Sequence, residues 1–333
     1  MLAKKLLWLV VFVSVAADAA APKGLPRAAR SPWGPADEIG TLNLMTEASR
    51  AAILSRISGG RVYDLSVEYH KDLPSWSLLG DPTYQFWMTH TPQGTVVDDP
   101  LSLGRAMHQH VSYSGDAVMM YTHTGTHLDS LSHFGLNGET WNGFRHDEHL
   151  GDLGWKRGGA EKLPPIIARG VLVDVAAYKG VELLPESYLI TADDLRGALA
   201  RQRLQLQPGD AVFIRTGWMK LIGDKHRYVH NEAGIGLEAA RWLVESQRVM
   251  LVGSDNLSVE VMPPETKSNW VPVHSYLEAE QGVAIMEVVD LEALAKDQVY
   301  EFAFIGASLK LRGASGAPMR PIALPVRPAA KTR

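Results

Sequence analysis

The pattern of apolar and polar positions changes near residue 170 of this 333-residue chain. Beyond that point, short apolar runs alternate with amphipathic stretches. The stretches at 191–204 and 236–247 have helical spacing, and the apolar runs predict strands at 171–175, 211–215, 249–253, 285–289 and 302–305. Because strands alternate with helices, the pattern predicts an α/β fold in which a mixed β-sheet is covered by helices.

The first half of the chain is less regular. Apolar residues recur at helical spacing over 46–57, where Thr46 is a candidate N-cap and Gly59-Gly60 ends the helix. Residues 61–69 alternate as a strand does, and 118–121 form a short apolar strand. Residues 70–105 show little periodicity. Because long loops of this kind are often functional, we expect this one to lie at a binding site.

Aromatic residues are candidate contacts for a flat or cyclic small-molecule substrate. Trp76, Phe86 and Trp87 lie in the long loop, and Trp141 lies in a turn-rich segment at 138–143. For any single ring, packing over the core is at least as good an interpretation. We carry these four residues forward as predicted substrate-binding residues.

The N-terminus predicts export. Lys4-Lys5 precede an apolar run from Leu6 to Ala17, and Ala17-Asp-Ala19 is a cleavage site of the A-x-A type. We interpret residues 1–19 as a signal peptide and residues 20–35 as a linker or N-terminal arm, so that the mature protein is periplasmic or secreted. A retained anchor is the alternative, although the run is shorter than the roughly 20 residues of a membrane span.

Composition and charge exclude several classes of protein. The net charge is -4 and no basic block occurs, so there is no electrostatic case for a nucleic-acid partner. The chain has no cysteine, which excludes disulfides and thiolate metal sites. With 46% hydrophobic residues, it can bury an ample core. No repeat or linker divides residues 36–325, so we predict one domain there, followed by a tail at 326–333.

The strongest chemical signal is a run of histidines in the first half. His123, His127, Asp129 and His133 fall within eleven residues, and imidazole and carboxylate are ligands for zinc, manganese or iron. On a straight strand, residues i and i+4 lie ~13 Å apart, too far to share an ion through bonds of about 2.0–2.2 Å. We therefore expect a strand that curls at Gly125, so that the first three of these residues close around one cation. His133 would then lie beside them and move protons.

Other polar positions are weaker candidates. Glu287 falls inside the apolar run 283–289, where a carboxylate is costly to bury unless it is paired or bound to metal. A salt-bridged structural glutamate is the alternative. His146-Asp-Glu-His149 is a second conceivable ligand cluster, but its hydrophilic loop favours a solvated surface stretch. Asp255 and Ser258 follow a predicted strand end, where polar site residues often gather in α/β folds.

The histidine segment resembles the H-x-G-T-H-x-D-x-P-x-H-F signature of a metal-dependent cyclase/hydrolase family that includes bacterial kynurenine formamidases and isatin hydrolases. The segments at 64–76, 273–287 and 311–321 are similar to other parts of this family, so the likeness covers residues 60–325. Leu131 stands where the short-chain formamidases have proline. For that reason we do not carry their substrate over to this chain.

The resemblance implies a single domain whose barrel-like mixed sheet is covered by helices, in a swivelling β/β/α arrangement. It implies five metal ligands, namely His123, His127, Asp129, His274 and Glu287. His133 is the implied acid/base. The expected cofactor is Zn or Mn, with one or two ions bound. A homodimer or homotetramer is also implied.

These residues predict hydrolysis of an amide-like C–N bond in an aryl formamide, lactam or cyclic imide. A divalent ion activates water and polarises a carbonyl group, and His133 transfers protons. Two alternatives stay open. The same site can act on a C–O bond, as a lactonase or cyclase does, or the chain can be an exported metal-binding protein without turnover.

Overall fold

The computed structural model describes residues 26–328. The predicted signal peptide at 1–19 lies outside this range, as do the first residues of the predicted linker and the last residues of the predicted tail. No helix within 26–328 combines the length and the apolar character that crossing a membrane requires.

The described chain forms seventeen strands and ten α-helices. The strands are β1 (Tyr63–Asp64), β2 (Gln85–His90), β3 (Gly115–Met119), β4 (His127–Asp129), β5 (Glu139–Thr140), β6 (Phe144–Arg145), β7 (Leu150–Gly151), β8 (Gly154–Trp155), β9 (Ile166–Asp174), β10 (Leu189–Ile190), β11 (Ala211–Arg215), β12 (Gly234–Ile235), β13 (Leu251–Ser254), β14 (Ala284–Glu287), β15 (Glu301–Gly306), β16 (Gly316–Pro318) and β17 (Ile322–Pro325). The α-helices are α1 (Glu47–Ser55), α2 (Pro92–Asp98), α3 (Arg105–His110), α4 (His146–His149), α5 (Val175–Lys179), α6 (Ala192–Gln202), α7 (Lys225–Tyr228), α8 (Leu237–Arg241), α9 (Pro272–His274) and α10 (Glu292–Lys296). Helices α8 and α9 continue into π-helical turns at Trp242–Ser246 and Ser275–Glu280. Short 3₁₀ turns lie at Gly40–Leu44, Trp76–Leu79, Trp141–Gly143, Ala160–Lys162 and Trp218–Leu221.

Nine strands form one curled, mixed sheet that closes into a half-barrel. Their order is β1-β17-β15-β9-β11-β13-β14-β4-β16. The four central strands from β9 to β14 are parallel, whereas β4 pairs antiparallel with β14 on one side and with β16 on the other. The predicted α/β class, with a mixed sheet in a single domain, is confirmed.

The central strands are buried on both faces, which explains their continuous apolar sequence. In β9, Val171 and Val173 pack into the apolar cluster that includes α6 and α8, while Leu172 packs into the cluster on the opposite face. In β11, Ile214 and Phe213 divide between the two clusters in the same way. Because side chains alternate across a strand, a strand covered on both faces needs an apolar residue at every position.

Most elements form where the pattern predicts them. Helix α1 follows the N-cap Thr46, and α6 follows Thr191, which forms a capping box with Asp194. The strand expected over 61–69 is wrong in extent, because only β1 forms. The Asp64 carboxylate accepts the Ser66 amide at 3.1 Å, a local turn that ends the strand.

The aperiodic stretch 70–105 was expected to be a loop, but it contains regular structure. Strand β2 pairs antiparallel with β3 as a separate two-stranded ribbon, and α2 and α3 lie between them in the chain. The strand predicted at 118–121 is therefore part of this ribbon, and it ends at Met119 before the histidine segment begins.

Close backbone packing beneath Trp141 depends on Gly282. This glycine has a φ of +64°, and a Cβ atom there would lie 2.5 Å from the Trp141 ring. The ring is held in place, because its Nε1 donates to Asp37 at 2.9 Å. The position therefore accepts only glycine without rearrangement.

We expect Gly282→Ala to lower the free energy of unfolding by about 2–5 kcal/mol. The left-handed backbone accounts for ~1–2 kcal/mol and the overpacking for ~1–3 kcal/mol. Urea denaturation of the two proteins measures the difference. Gly60→Ala is the control, because a Cβ atom there meets no atom within 4 Å. A Gly282→Ala protein as stable as the parent would contradict this account of the packing.

Candidate metal centre and adjoining cavity

The histidine segment is a tight turn followed by a strand. Gly125 has a φ of +64°, at the place where the sequence predicts a bend. The strand that carries the candidate ligands is β4, which begins at His127, after this glycine and not before it. His127 and Asp129 are two residues apart in β4 and therefore point to one face. The turn brings His123 back to the same place, with Nδ1 2.6 Å from Oδ1 of Asp129.

The two neighbours of β4 complete this cluster. In β14, Glu287 lies directly opposite His127, and its Oε2 is 3.2 Å from His127 Nε2. In β16, a Cβ atom on Gly316 would lie 2.5 Å from the His123 ring, so the glycine makes room for the imidazole. The register of three strands thus places the side chains that the sequence singled out.

His274 joins the cluster from a distant segment and is firmly oriented. Its Nδ1 is 2.6 Å from Glu260 Oε1, and its Nε2 is 3.2 Å from Glu287 Oε1. The His274 amide also donates to Glu260. His127 is held in a similar way, since its Nδ1 donates to the Gly125 carbonyl oxygen at 2.7 Å. A partner on the outer nitrogen fixes the tautomer and aims Nε2 inward, as in metal-ligating histidines.

The inward-facing atoms are arranged as metal ligands. Two overlapping groups have ligand atoms within 4.8 Å of one another: His123, Asp129 and His133 form one group, and His127, Asp129 and Glu287 form the other. His127 Nε2 and Asp129 Oδ2 are buried, and neither atom makes a well-directed hydrogen bond within residues 26–328, although carboxylate oxygens lie 3.2–3.3 Å from His127 Nε2. A bound cation would satisfy both atoms, and their chemistry suits Zn or Mn. The residues present therefore fit a divalent ion.

The charges of the side chains in the cluster also favour a bound cation. Burial lowers the pKa of His127, but Asp129 and Glu287 outweigh it and raise the pKa to about 10. Burial also lowers the pKa of His274, and Glu260 and Glu287 raise it well above its usual value. The carboxylates thus hold protons on neighbouring imidazoles. A metal ion supplies the same positive charge in place of those protons.

His133 differs from the other histidines. Its ring stacks on His123 with the centroids 3.8 Å apart. Burial lowers the pKa of His133 well below its usual value, and the charge of His123 lowers it further. His133 is therefore neutral near neutral pH and can accept a proton.

A cavity of about 400 Å³ opens beside the cluster. His133, His274 and Glu287 reach it, and Trp76 lines its wall. The metal cluster and the cavity therefore form one site, in which a small molecule can meet the groups that carry the chemistry.

The other three predicted substrate contacts, Phe86, Trp87 and Trp141, lie outside the lining of this cavity. The side chains of Phe86 and Trp87 are 54% and 48% exposed. Both residues lie in β2, which pairs only with β3 in a separate two-stranded ribbon. Trp141 is buried and packs against Gly282.

The weaker polar candidates separate into different roles. Asp255 is fully buried and accepts the amides of Thr216 and Gly217 at 2.9 and 2.8 Å, which is a structural role. Ser258 lines the cavity. The segment His146–His149 forms α4, and within the described chain it forms no group with metal-ligand spacing.

Several site residues escaped the sequence analysis. Glu260 and Glu278 are fully buried. Glu260 lies in the apolar run 259–262, so the criterion applied to Glu287 would have found it, whereas the polar neighbours of Glu278 give no such signal. The Glu278 carboxylate accepts the Phe134 amide at 2.8 Å and so anchors the backbone next to His133. Trp270 lines the cavity from a polar loop, where nothing in the local sequence marks it.

Comparison with known proteins identifies the family. The Cyclase family model matches residues 63–261, which is more than half of the chain. This chain belongs to the Cyclase family. The resemblance drawn from the histidine segment is thereby confirmed.

Relatives of this cyclase-family chain occur in plants, and similar folds are known from crystal structures. Cyclase-like protein 3 from Oryza sativa subsp. japonica is 25% identical over 264 residues, which cover 79% of each chain. A crystal structure described as a novel cyclase is 30% identical, with a TM-score of 0.79, and the match covers 90% of this chain and 100% of that one. Isatin hydrolase A from Ralstonia solanacearum is 20% identical with a TM-score of 0.60, over 79% of this chain and 91% of its own, which is a likeness of fold.

We expect this cyclase-family protein, purified without chelator, to contain stoichiometric divalent metal. Asp129→Ala should weaken metal binding at least tenfold, because Asp129 belongs to both ligand groups. Elemental analysis measures the metal content, and thermal unfolding with and without EDTA measures its coupling to stability. His149→Ala, in the surface segment, is the matched control and should keep its full metal content. A parent protein that neither contains metal nor gains thermal stability from added Zn or Mn would refute the centre.

Proposed function

We propose that this chain is a metal-dependent hydrolase that acts on an amide-like C–N bond of an aromatic or cyclic small molecule. One observation carries the proposal: the ligand-type side chains His127, Asp129 and Glu287 lie close together, and Glu287 lines a cavity that His133 also reaches. The fold supports it, because structural neighbours include proteins named as isatin hydrolases and one named as a metal-dependent hydrolase.

His133 is the proton-transfer group of this proposal. A divalent ion bound by the cluster supplies Lewis acidity, which makes water easier to deprotonate and polarises a carbonyl group. His133 is neutral near neutral pH, so it accepts a proton from the attacking water and returns it to the leaving nitrogen. The ring stacked on His123 and the backbone anchored at Phe134 by Glu278 keep the imidazole directed at the cavity.

The cavity walls position the substrate for this transfer. Trp76 and Phe134 offer flat apolar surface beside the cluster, and the Phe134 ring lies 4.8 Å from the His274 ring. A planar substrate packed on these rings holds its carbonyl group near the reacting residues, which lowers the entropic part of the barrier. An ester or lactone can be held in the same way, so C–O hydrolysis is the alternative reaction.

We expect His133→Ala to retain its metal and to lose ~10²–10⁴-fold in kcat/KM, the usual contribution of a general acid/base. The assay uses metal-loaded protein and a panel of aryl formamides, isatin-like lactams, cyclic imides and lactones. His226→Ala, at an exposed surface position, is the control and should keep full activity.

Each other outcome of this experiment has a definite meaning. Unchanged kcat/KM in His133→Ala would rule out the acid/base assignment. Lost metal would make His133 a ligand, as its place in the group with His123 and Asp129 allows. A metal-loaded parent that hydrolyses no member of the panel would favour the non-catalytic metal-binding protein.

A further inference from the structure

The charges of the side chains that line the cavity indicate the charge of a ligand that would bind there. Apart from Glu287, which belongs to the metal cluster, Asp81 is the only carboxylate that residues 26–328 contribute to the lining. No lysine or arginine among residues 26–328 lines the cavity. An anionic ligand would therefore find no lysine or arginine there and would face the Asp81 carboxylate.

Aromatic rings extend from the metal cluster to the mouth of the cavity. Trp76, Tyr121, Phe134 and Trp270 all line it. Phe134 and Trp270 are in edge contact, with centroids 5.7 Å apart and planes at 64°. Trp270 is 65% exposed, so its ring forms part of the entrance. The faces of aromatic rings carry negative electrostatic potential and attract organic cations.

Asp81 is available to a ligand. It is partly exposed, and it forms no salt bridge with the lysines, arginines or histidines of the described chain. A partly buried carboxylate among aromatic rings that is not neutralised by the protein itself can be neutralised by a cation from outside. A divalent ion held by the cluster would not oppose this, because Asp129 and Glu287 would offset its charge.

We infer that the cavity recognises small molecules bearing an ammonium group, with Asp81 and the rings of Trp76, Tyr121 and Trp270 as the cation-binding wall. The recognition itself is independent of turnover. A role for Asp81 in catalysis rests on the proposed hydrolase function. In that role, Asp81 selects amides that bear an ammonium group. The same carboxylate repels the carboxylate product of hydrolysis and so favours its release.

Binding tests the inference without any need for catalysis. Metal-loaded full-length protein is titrated with phenyltrimethylammonium, with its neutral isostere tert-butylbenzene and with benzenesulfonate, and the fluorescence of the cavity tryptophans reports binding. We expect the cation to bind at least tenfold more tightly than the isostere and the anion to bind most weakly. Asp81→Asn should reduce the cation-to-isostere ratio to about threefold or less, the part that the rings provide.

A matched control separates the specific effect from general electrostatics. Asp116→Asn removes one exposed carboxylate from β3, outside the cavity lining. This variant should have the same ratio of cation affinity to isostere affinity as the parent protein. Equal affinity for the cation and its isostere, an unchanged ratio in Asp81→Asn, or no saturable binding of the cation at millimolar concentration would overturn the inference.

Catalysis provides a second readout on the same variants. For an aryl formamide that carries a trimethylammonium substituent, we expect Asp81→Asn to raise KM about tenfold with little change in kcat, since the lost contact is the same in the ground and transition states. For the tert-butyl analogue, Asp81→Asn should change KM far less. Absence of hydrolysis would count against the proposed function alone, whereas loss of the binding preference would count against the cation site alone.

Discussion

Two buried carboxylates placed on either side of one imidazole are the constraint on which the rest of the site depends. Asp129 and Glu287 both lie within 3.3 Å of His127 Nε2, and all three side chains are buried. In a protein interior, such negative charges are costly unless positive charge compensates them. The sheet enforces this arrangement through the pairing of β4 with β14, and the arrangement in turn creates a place for a cation.

The surrounding residues keep the cluster in this arrangement. Glu260 fixes the tautomer of His274, and the Gly125 carbonyl oxygen does the same for His127. The backbone is strained nearby, since Val259 and Val288 have φ values of 55° and 54°, which cost a β-branched residue of the order of 1–3 kcal/mol. Each of these valines adjoins a cluster glutamate. Hydrogen bonds compensate for the strain, because the Val288 amide donates to Asn256 and its carbonyl oxygen accepts the Thr126 hydroxyl.

The chemistry of the cavity follows from what its walls contain and what they lack. The cluster offers His133, a neutral imidazole that is free to accept a proton. The walls offer aromatic rings and one uncompensated carboxylate, Asp81, and no lysine or arginine from the described chain. The proposed proton transfer and the inferred ligand preference therefore depend on different parts of one cavity, so the preference could change while the candidate metal ligands stay in place.

The sequence by itself determined the fold class and singled out the central candidate ligands, because both depend on local signals. Apolar runs such as 211–215 predict buried strands, and the spacing of His123, His127 and Asp129 around Gly125 predicts a curled metal loop. Only the tertiary structure decided which distant residues join them. The local pattern can mark Glu260 as a buried carboxylate and does not mark Trp270 at all, and only long-range chain crossings bring the two residues to the site. Phe86 and Trp87 have the same aromatic character as Trp76, yet they lie on a separate ribbon, because the pairing of β2 with β3 is a long-range choice of partner.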